Sequence, residues 1–154
     1  MNIDNYKILL NVLNDDECSK LILFIDDLFI KHPDPDSLEI DGYNRIKISY
    51  PELSDMVTAK LSIHMDTTNI HINHQWFPTK YIIGGGLKEH SDGHIYDDDD
   101  NASSHTILIY LNENFSGGKT VFTDNNIQVI PKTGMILILD QDALHCAESI
   151  TDGW

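Results

Sequence analysis

The apolar positions of this chain keep a helical period at first and a strand period later. Cys18, Leu21, Ile22, Ile25, Leu28 and Phe29 recur three and four apart, which predicts an amphipathic helix over residues 15–31. Asn14, Asp15 and Asp16 stand ahead of it as candidate N-caps. His32-Pro33-Asp34-Pro35 ends it, because a residue before proline is pushed out of the helical region. A short strand around Arg45–Ser49 comes next. Leu53, Met56, Val57, Leu61 and His64 then mark a second helix over roughly residues 52–65.

Beyond that point the pattern becomes that of strands and turns. Trp76–Ile83 reads as a strand closed by Gly84-Gly85-Gly86, and residues 97–103 read as a polar loop. Thr106–Asn112 has the β-branched and aromatic bias of a strand. Ser116-Gly117-Gly118 reads as a turn. Thr120–Thr123 and Ile127–Ile130 flank a hairpin-like break at Asp124-Asn125-Asn126. After a turn at Pro131-Lys132-Thr133-Gly134, Met135–Leu139 is an unbroken apolar run, as expected of a strand buried on both faces. His145–Ile150 reads as a final strand. Two helices followed by many short strands predict a mainly β sandwich or barrel with the helices packed outside it. No internal repeat and no second domain is evident.

Composition narrows the functional classes. At 154 residues the chain is long enough for one core. Its net charge of −15 argues against a nucleic-acid or anionic-membrane surface, and is compatible with a basic partner or with solubility alone. Two cysteines, Cys18 and Cys146, make no disulfide framework, so a reducing compartment fits. The N-terminus lacks the charge and apolar core of a signal peptide. No apolar run approaches the roughly 20 residues that span a bilayer. The expectation is an intracellular, cytoplasmic protein.

His90, Asp92 and His145 carry the candidate chemistry. On a strand, residues two apart point to the same face, so His90 and Asp92 could meet one ion, with His145 supplied by a strand distant in sequence. Two imidazoles and a carboxylate on one face of a six-coordinate metal leave three positions open, the pattern of non-haem Fe(II) oxygenases. The pattern is weak alone, since the chain has eight histidines and 25 acidic residues, and the same ligand set also serves hydrolytic zinc. His94, His71 and His74 read as structural or surface residues. The Asp97–Asp100 run reads as a solvated loop, its spacing unlike that of an EF-hand.

The residues around the triad add a resemblance. Tyr81, Gly84, His90 and Asp92 stand in one ordered spacing; Tyr110-Leu111-Asn112 precedes Gly117-Gly118, Thr120 and Phe122; Val129, Pro131 and Gly134 precede the apolar run and His145. From Tyr81 to Trp154 this series resembles the catalytic domain of the 2-oxoglutarate and Fe(II)-dependent dioxygenases, most closely the prolyl 4-hydroxylase branch. Val12–Cys18 is similar to that family's opening helix. The resemblance implies a double-stranded β-helix (jelly-roll) core over about residues 76–154, following a helical part over about 1–75. It implies Fe(II) held by His90, Asp92 and His145, with 2-oxoglutarate and O2 as co-substrates and ascorbate as a candidate reductant. Tyr110 is similar to the family tyrosine that helps hold the distal carboxylate of 2-oxoglutarate, and Tyr81 to a second tyrosine of that pocket; Thr120 lies on a strand facing it. Without the motif, both tyrosines would read as core residues with a hydroxyl at the rim.

The implied activity is hydroxylation of an unactivated C–H bond, of a peptidyl proline by resemblance, with succinate and CO2 as co-products. Asp92 favours hydroxylation over halogenation, because halogenating relatives lack this carboxylate. The implied partner is a peptide or protein substrate, drawn by the acidic surface if basic. Two features depart from the family pattern. Leu87 replaces an aromatic residue common ahead of the ligand strand. Gly153-Trp154 stands where the family has Gly-x-Lys, so the cation that pairs with 2-oxoglutarate is expected one residue later, and the chain reads as stopping before it and before a last core strand. A non-catalytic jelly-roll binding module that keeps the triad without co-substrate capture is the alternative reading.

Overall fold

The computed structural model describes residues 6–32, 42–96 and 100–154. Its centre is β11 (Met135–Asp140), which is hydrogen-bonded between β1 (Tyr6–Leu9) and β7 (His105–Tyr110) in an antiparallel sheet. Met135 through Leu139 are all buried. The alternation of the strand sends these side chains to two different cores. Met135, Leu137 and Leu139 pack with Phe122 and Val129 of a second sheet, while Ile136 and Ile138 pack with Leu9, Val12, Leu13, Cys18, Leu53, Val57 and Leu61 on the helical side.

The second sheet is antiparallel, in the order β10 (Ile127–Val129), β9 (Thr120–Phe122), β12 (His145–Ala147), β6 (Leu87–His90). It faces the first sheet and closes the sandwich interior. Tyr6 on β1 reaches across it to stack on Phe122, with ring centroids 4.8 Å apart. β8 (Phe115–Gly117) and β13 (Ile150–Gly153) form a separate antiparallel pair. Two further pairs, β2 (Tyr43–Arg45) with β5 (Thr79–Tyr81) and β3 (Ile48–Ser49) with β4 (Gln75–Trp76), complete the described strands. The architecture is mainly β, a jelly roll with helices on its outer face.

Helix α1 (Asp15–Lys31) coincides with the amphipathic stretch, and its start has a local cause. Asn14 accepts from the Glu17 N–H at 2.9 Å, and the Glu17 carboxylate accepts from the Asn14 N–H at 2.9 Å, a reciprocal capping box. His32 closes the helix, its N–H donating to the Leu28 carbonyl; the prolines expected to end it lie outside the described residues. Helix α2 (Pro51–Leu61) opens with proline at its first position, where no N–H is needed, and stops earlier than the apolar pattern predicts. Residues beyond Leu61 form a turn instead: the N–H groups of His64 and Met65 both donate to the Leu61 carbonyl. The Trp76 indole donates to Ser54 Oγ at 3.0 Å, and that hydroxyl donates to the Asn73 carbonyl at 3.0 Å, locking α2 against β4. Among the described residues no helix is long and apolar enough to cross a membrane.

Several strands differ from the sequence pattern. None is expected ahead of α1, yet β1 is a core strand; four residues are too short to show a period. The Trp76–Ile83 stretch is split by Phe77-Pro78 into β4 and β5, since proline cannot donate to a ladder. The turn expected at Ser116–Gly118 is partly strand, as β8. The final strand is two, β12 and β13, in different sheets. Gly134 explains how α1 is seated: Val12 and Leu13 donate to its carbonyl at 2.9 and 3.1 Å, its φ is +73°, and a Cβ would strike the Leu13 carbonyl.

Leu137 is fully buried in the sandwich interior. Leu137→Ala is expected to destabilise the fold by about 2–5 kcal/mol, from lost burial plus a residual cavity. Urea unfolding followed by circular dichroism measures it.

Candidate metal centre

The centre is built on the register of two strands. β12 lies beside β6 with His145 directly opposite His90, and His145 is also opposite Phe122 on its other side. Cross-strand partners share a face, so both imidazoles enter the sandwich interior, ring centroids 4.4 Å apart. His145, distant from His90 in sequence, is thus on the adjacent strand in space. Asp92 departs from expectation in detail. β6 ends at His90, and Asp92 sits just past it. Its carboxylate nonetheless turns back: Oδ1 is 3.5 Å from His90 Nε2 and Oδ2 is 4.0 Å from His145 Nε2. Among the described residues these three form the one group of His, Cys, Asp or Glu able to hold an ion, their ligand atoms all within 4.8 Å of one another.

Hydrogen bonds set which imidazole nitrogen faces inward. His90 Nδ1 lies 2.8 Å from the Lys88 carbonyl, and His145 Nδ1 lies 2.9 Å from the Ala143 carbonyl. A carbonyl only accepts, so each Nδ1 carries the proton and each Nε2 offers a lone pair to the site. This is the backing that metal-bound histidines use. Asp92 Oδ2 is buried and has no hydrogen-bond partner. A buried carboxylate oxygen left unpaired is costly, and a cation held between it and the two Nε2 atoms would satisfy it. The donor set of two neutral imidazoles and one carboxylate fits Fe(II), and equally Zn(II).

The three residues line a cavity of about 1020 Å3 that Tyr81, Tyr110 and Thr120 also line. Thr120 on β9 is buried, and its Oγ1 is 2.7 Å from the Tyr110 hydroxyl. Tyr110 reaches it because its register with Met135 turns it into the interior. Burial pushes the Tyr110 phenol up to about 12, with the Thr120 bond pulling the other way. Tyr81 on β5 packs against the Tyr43 ring at 5.6 Å; burial raises its phenol, opposed by the nearby positive charge of Arg45. Both phenols are therefore neutral at physiological pH and able to donate.

Other candidates lie apart from the triad. His94 Nδ1 is 2.7 Å from the Ser103 carbonyl, a loop tie. His71 and His74 are exposed, rings 6.2 Å apart. Asp97, Asp98 and Asp99 lie outside the described residues. Sequence reasoning passed over Arg45, which lines the cavity with its guanidinium 4.8 Å over the Phe77 ring. Its being the sole arginine of a strongly acidic chain was the available signal.

No family model matches the sequence, and no curated protein matches it. Solved structures do. The chain is similar to a viral collagen prolyl hydroxylase from Paramecium Bursaria Chlorella virus-1, solved as its 2OG complex, with TM-score 0.72 at 19% identity over 97% of this chain and 89% of that one. It is similar to a Pseudomonas putida prolyl-4-hydroxylase, with TM-score 0.70 at 17% identity over 96% and 86% of the two chains. It is also similar to an oxidoreductase of the 2OG-Fe(II) oxygenase family from Burkholderia pseudomallei, with TM-score 0.66 at 14% identity over 96% and 78%. At these identities the likeness establishes a shared fold, the jelly roll of these oxygenases, over nearly the whole chain.

The Tyr110 phenol generates a test. Its proton is held to higher pH in the folded state than the ordinary value of 10.0, so the folded state binds more protons in between. Its contribution to stability is complete below pH 10 and is lost as pH rises toward about 12. Ultraviolet titration should show a late phenolate phase that disappears in Tyr110→Phe. That variant should also lose about 1–3 kcal/mol by leaving the buried Thr120 hydroxyl unpaired.

Proposed function

We propose that the chain is a 2-oxoglutarate- and Fe(II)-dependent oxygenase that hydroxylates an unactivated C–H bond, releasing succinate and CO2. The carrying observation is the set of three ligand atoms, within 4.8 Å of one another, whose two imidazole Nε2 lone pairs are already directed inward. The shared fold with 2OG-Fe(II) oxygenases supports the reading.

His90, Asp92 and His145 would hold the metal. When bound, Fe(II) and 2-oxoglutarate supply the oxidising equivalents from O2, and the protein supplies geometry and a dry enclosure. The Tyr110 hydroxyl and Thr120 Oγ1, joined at 2.7 Å, spend one proton on each other and leave one O–H free to donate to the far carboxylate of 2-oxoglutarate. Tyr81 offers a second neutral phenol lining the same cavity. Phe122, buried beside His145 with ring centroids 6.3 Å apart, covers that imidazole on the core side. No side-chain nucleophile is required. The cavity is large enough for a second molecule beside the co-substrate, and a peptidyl proline is the substrate we favour. The net charge of −15 would draw a basic peptide by long-range attraction, most strongly at low salt.

The test is iron-dependent conversion of 2-oxoglutarate to succinate, with ascorbate present and proline-containing peptides screened for the mass of one added oxygen. Succinate should form with Fe(II) and stop on chelation. Asp92→Ala should keep the circular dichroism spectrum, lose bound iron and fall to background. Iron bound without succinate would leave the non-catalytic binding module standing, and zinc in anaerobically purified protein would favour hydrolysis.

A further inference from the structure

The ligand loop is held by a residue far from it in sequence. Gln141 follows β11 and stands four positions ahead of His145; it is 3% exposed and lines the same cavity as the triad. Its Nε2 donates to the carbonyl of Gly93 at 2.9 Å, and its backbone N–H donates to the carbonyl of Ser104 at 3.0 Å. Gly93 is the residue directly after Asp92. One side chain therefore joins three segments: the connection that delivers His145, the stretch that carries Asp92, and the approach to β7.

The orientation of the amide follows from its partner. Turning it over would set Oε1 against the Gly93 carbonyl oxygen, two acceptors face to face, so Nε2 must be the inner atom. Its Oε1 is then buried without a partner among the described residues. That amide holds the residue directly after Asp92, whose own β-strand has ended: Asp92 lies past β6, where no ladder bond fixes its backbone. Glycine at 93 adds freedom rather than removing it, since a Cβ there would meet nothing within 4 Å. The position of Asp92 thus depends on ties from outside its own strand, and Gln141 provides one.

We propose that Gln141 is a positioning residue for the metal centre: by clamping Gly93 to the segment leading to His145, it sets Asp92 at the distance from the two imidazoles that an ion requires. The proposal rests on the metal-binding part of the function proposed above and not on turnover. The hydrogen bonds of Gln141 go to the Gly93 and Ser104 carbonyls and not to the three ligands, so it acts through the backbone.

Mn(II) binding to the full chain, measured by titration calorimetry, tests it. Gln141→Met keeps the shape, removes the donor and also removes the unpartnered acceptor, so the metal-free thermal midpoint should shift by no more than about 2–4 °C. Mn(II) affinity should fall by about 10-fold, the lower range for residues that orient metal ligands from behind. Gln141→Asn, whose amide is one methylene short of Gly93, should weaken binding similarly and is the variant to use if the methionine protein does not fold. The Co(II) absorption spectrum should change in both, reporting altered ligand geometry. Affinity within twofold of the parent in a folded variant, or a lowered midpoint with unchanged affinity, overturns the positioning role while leaving the oxygenase reading intact. Failure of the parent itself to bind Mn(II) overturns both.

Discussion

The two-sided burial of β11 is the constraint on which the molecule depends. A strand whose odd and even residues are both apolar cannot lie at a surface. It needs a partner layer on each side, and this one has the second sheet on one face and the helices on the other. The helical layer is anchored through Gly134, immediately ahead of the strand, and the site layer hangs from its far end through Gln141. The same strand thus fixes where α1 docks and where the His145 connection begins.

On the sandwich side, β11 and β7 form one wall and β9, β12 and β6 the other. Polar side chains in such an interior must be paired, and the pairing defines the candidate chemistry. Tyr110 and Thr120 satisfy each other across the walls, His90 and His145 satisfy their outer nitrogens on backbone carbonyls, and their inner nitrogens meet the unpaired Asp92 Oδ2 at one place. Two imidazole lone pairs and one orphan carboxylate oxygen converge there. A site that is pre-set in this way does not spend binding energy on choosing tautomers when a metal arrives.

Much of this was readable from residue order. The capping signal at Asn14 and the helical spacing after it define α1, because both are local effects within a few residues. The apolar run at Met135–Leu139 reveals a strand with two buried faces, since no half-exposed strand tolerates it. Tyr81, Tyr110 and Thr120 were legible only through their resemblance to a family, as a tyrosine on a strand has no spacing that tells a pocket from a core. Gln141 and β1 had no usable signal: an amide before a loop and a four-residue strand look alike in many chains.

By itself, then, the sequence determined the two helices, the central buried strand and the residue types available for chemistry, through local propensity, capping and period. Strand pairing belongs to the tertiary structure alone, because register arises between segments far apart in the chain. It placed His145 opposite His90, turned Tyr110 toward Thr120, and let Asp92 reach the site from beyond the end of its strand. Those distances, and not the presence of two histidines and an aspartate, are what would let the three hold a metal ion.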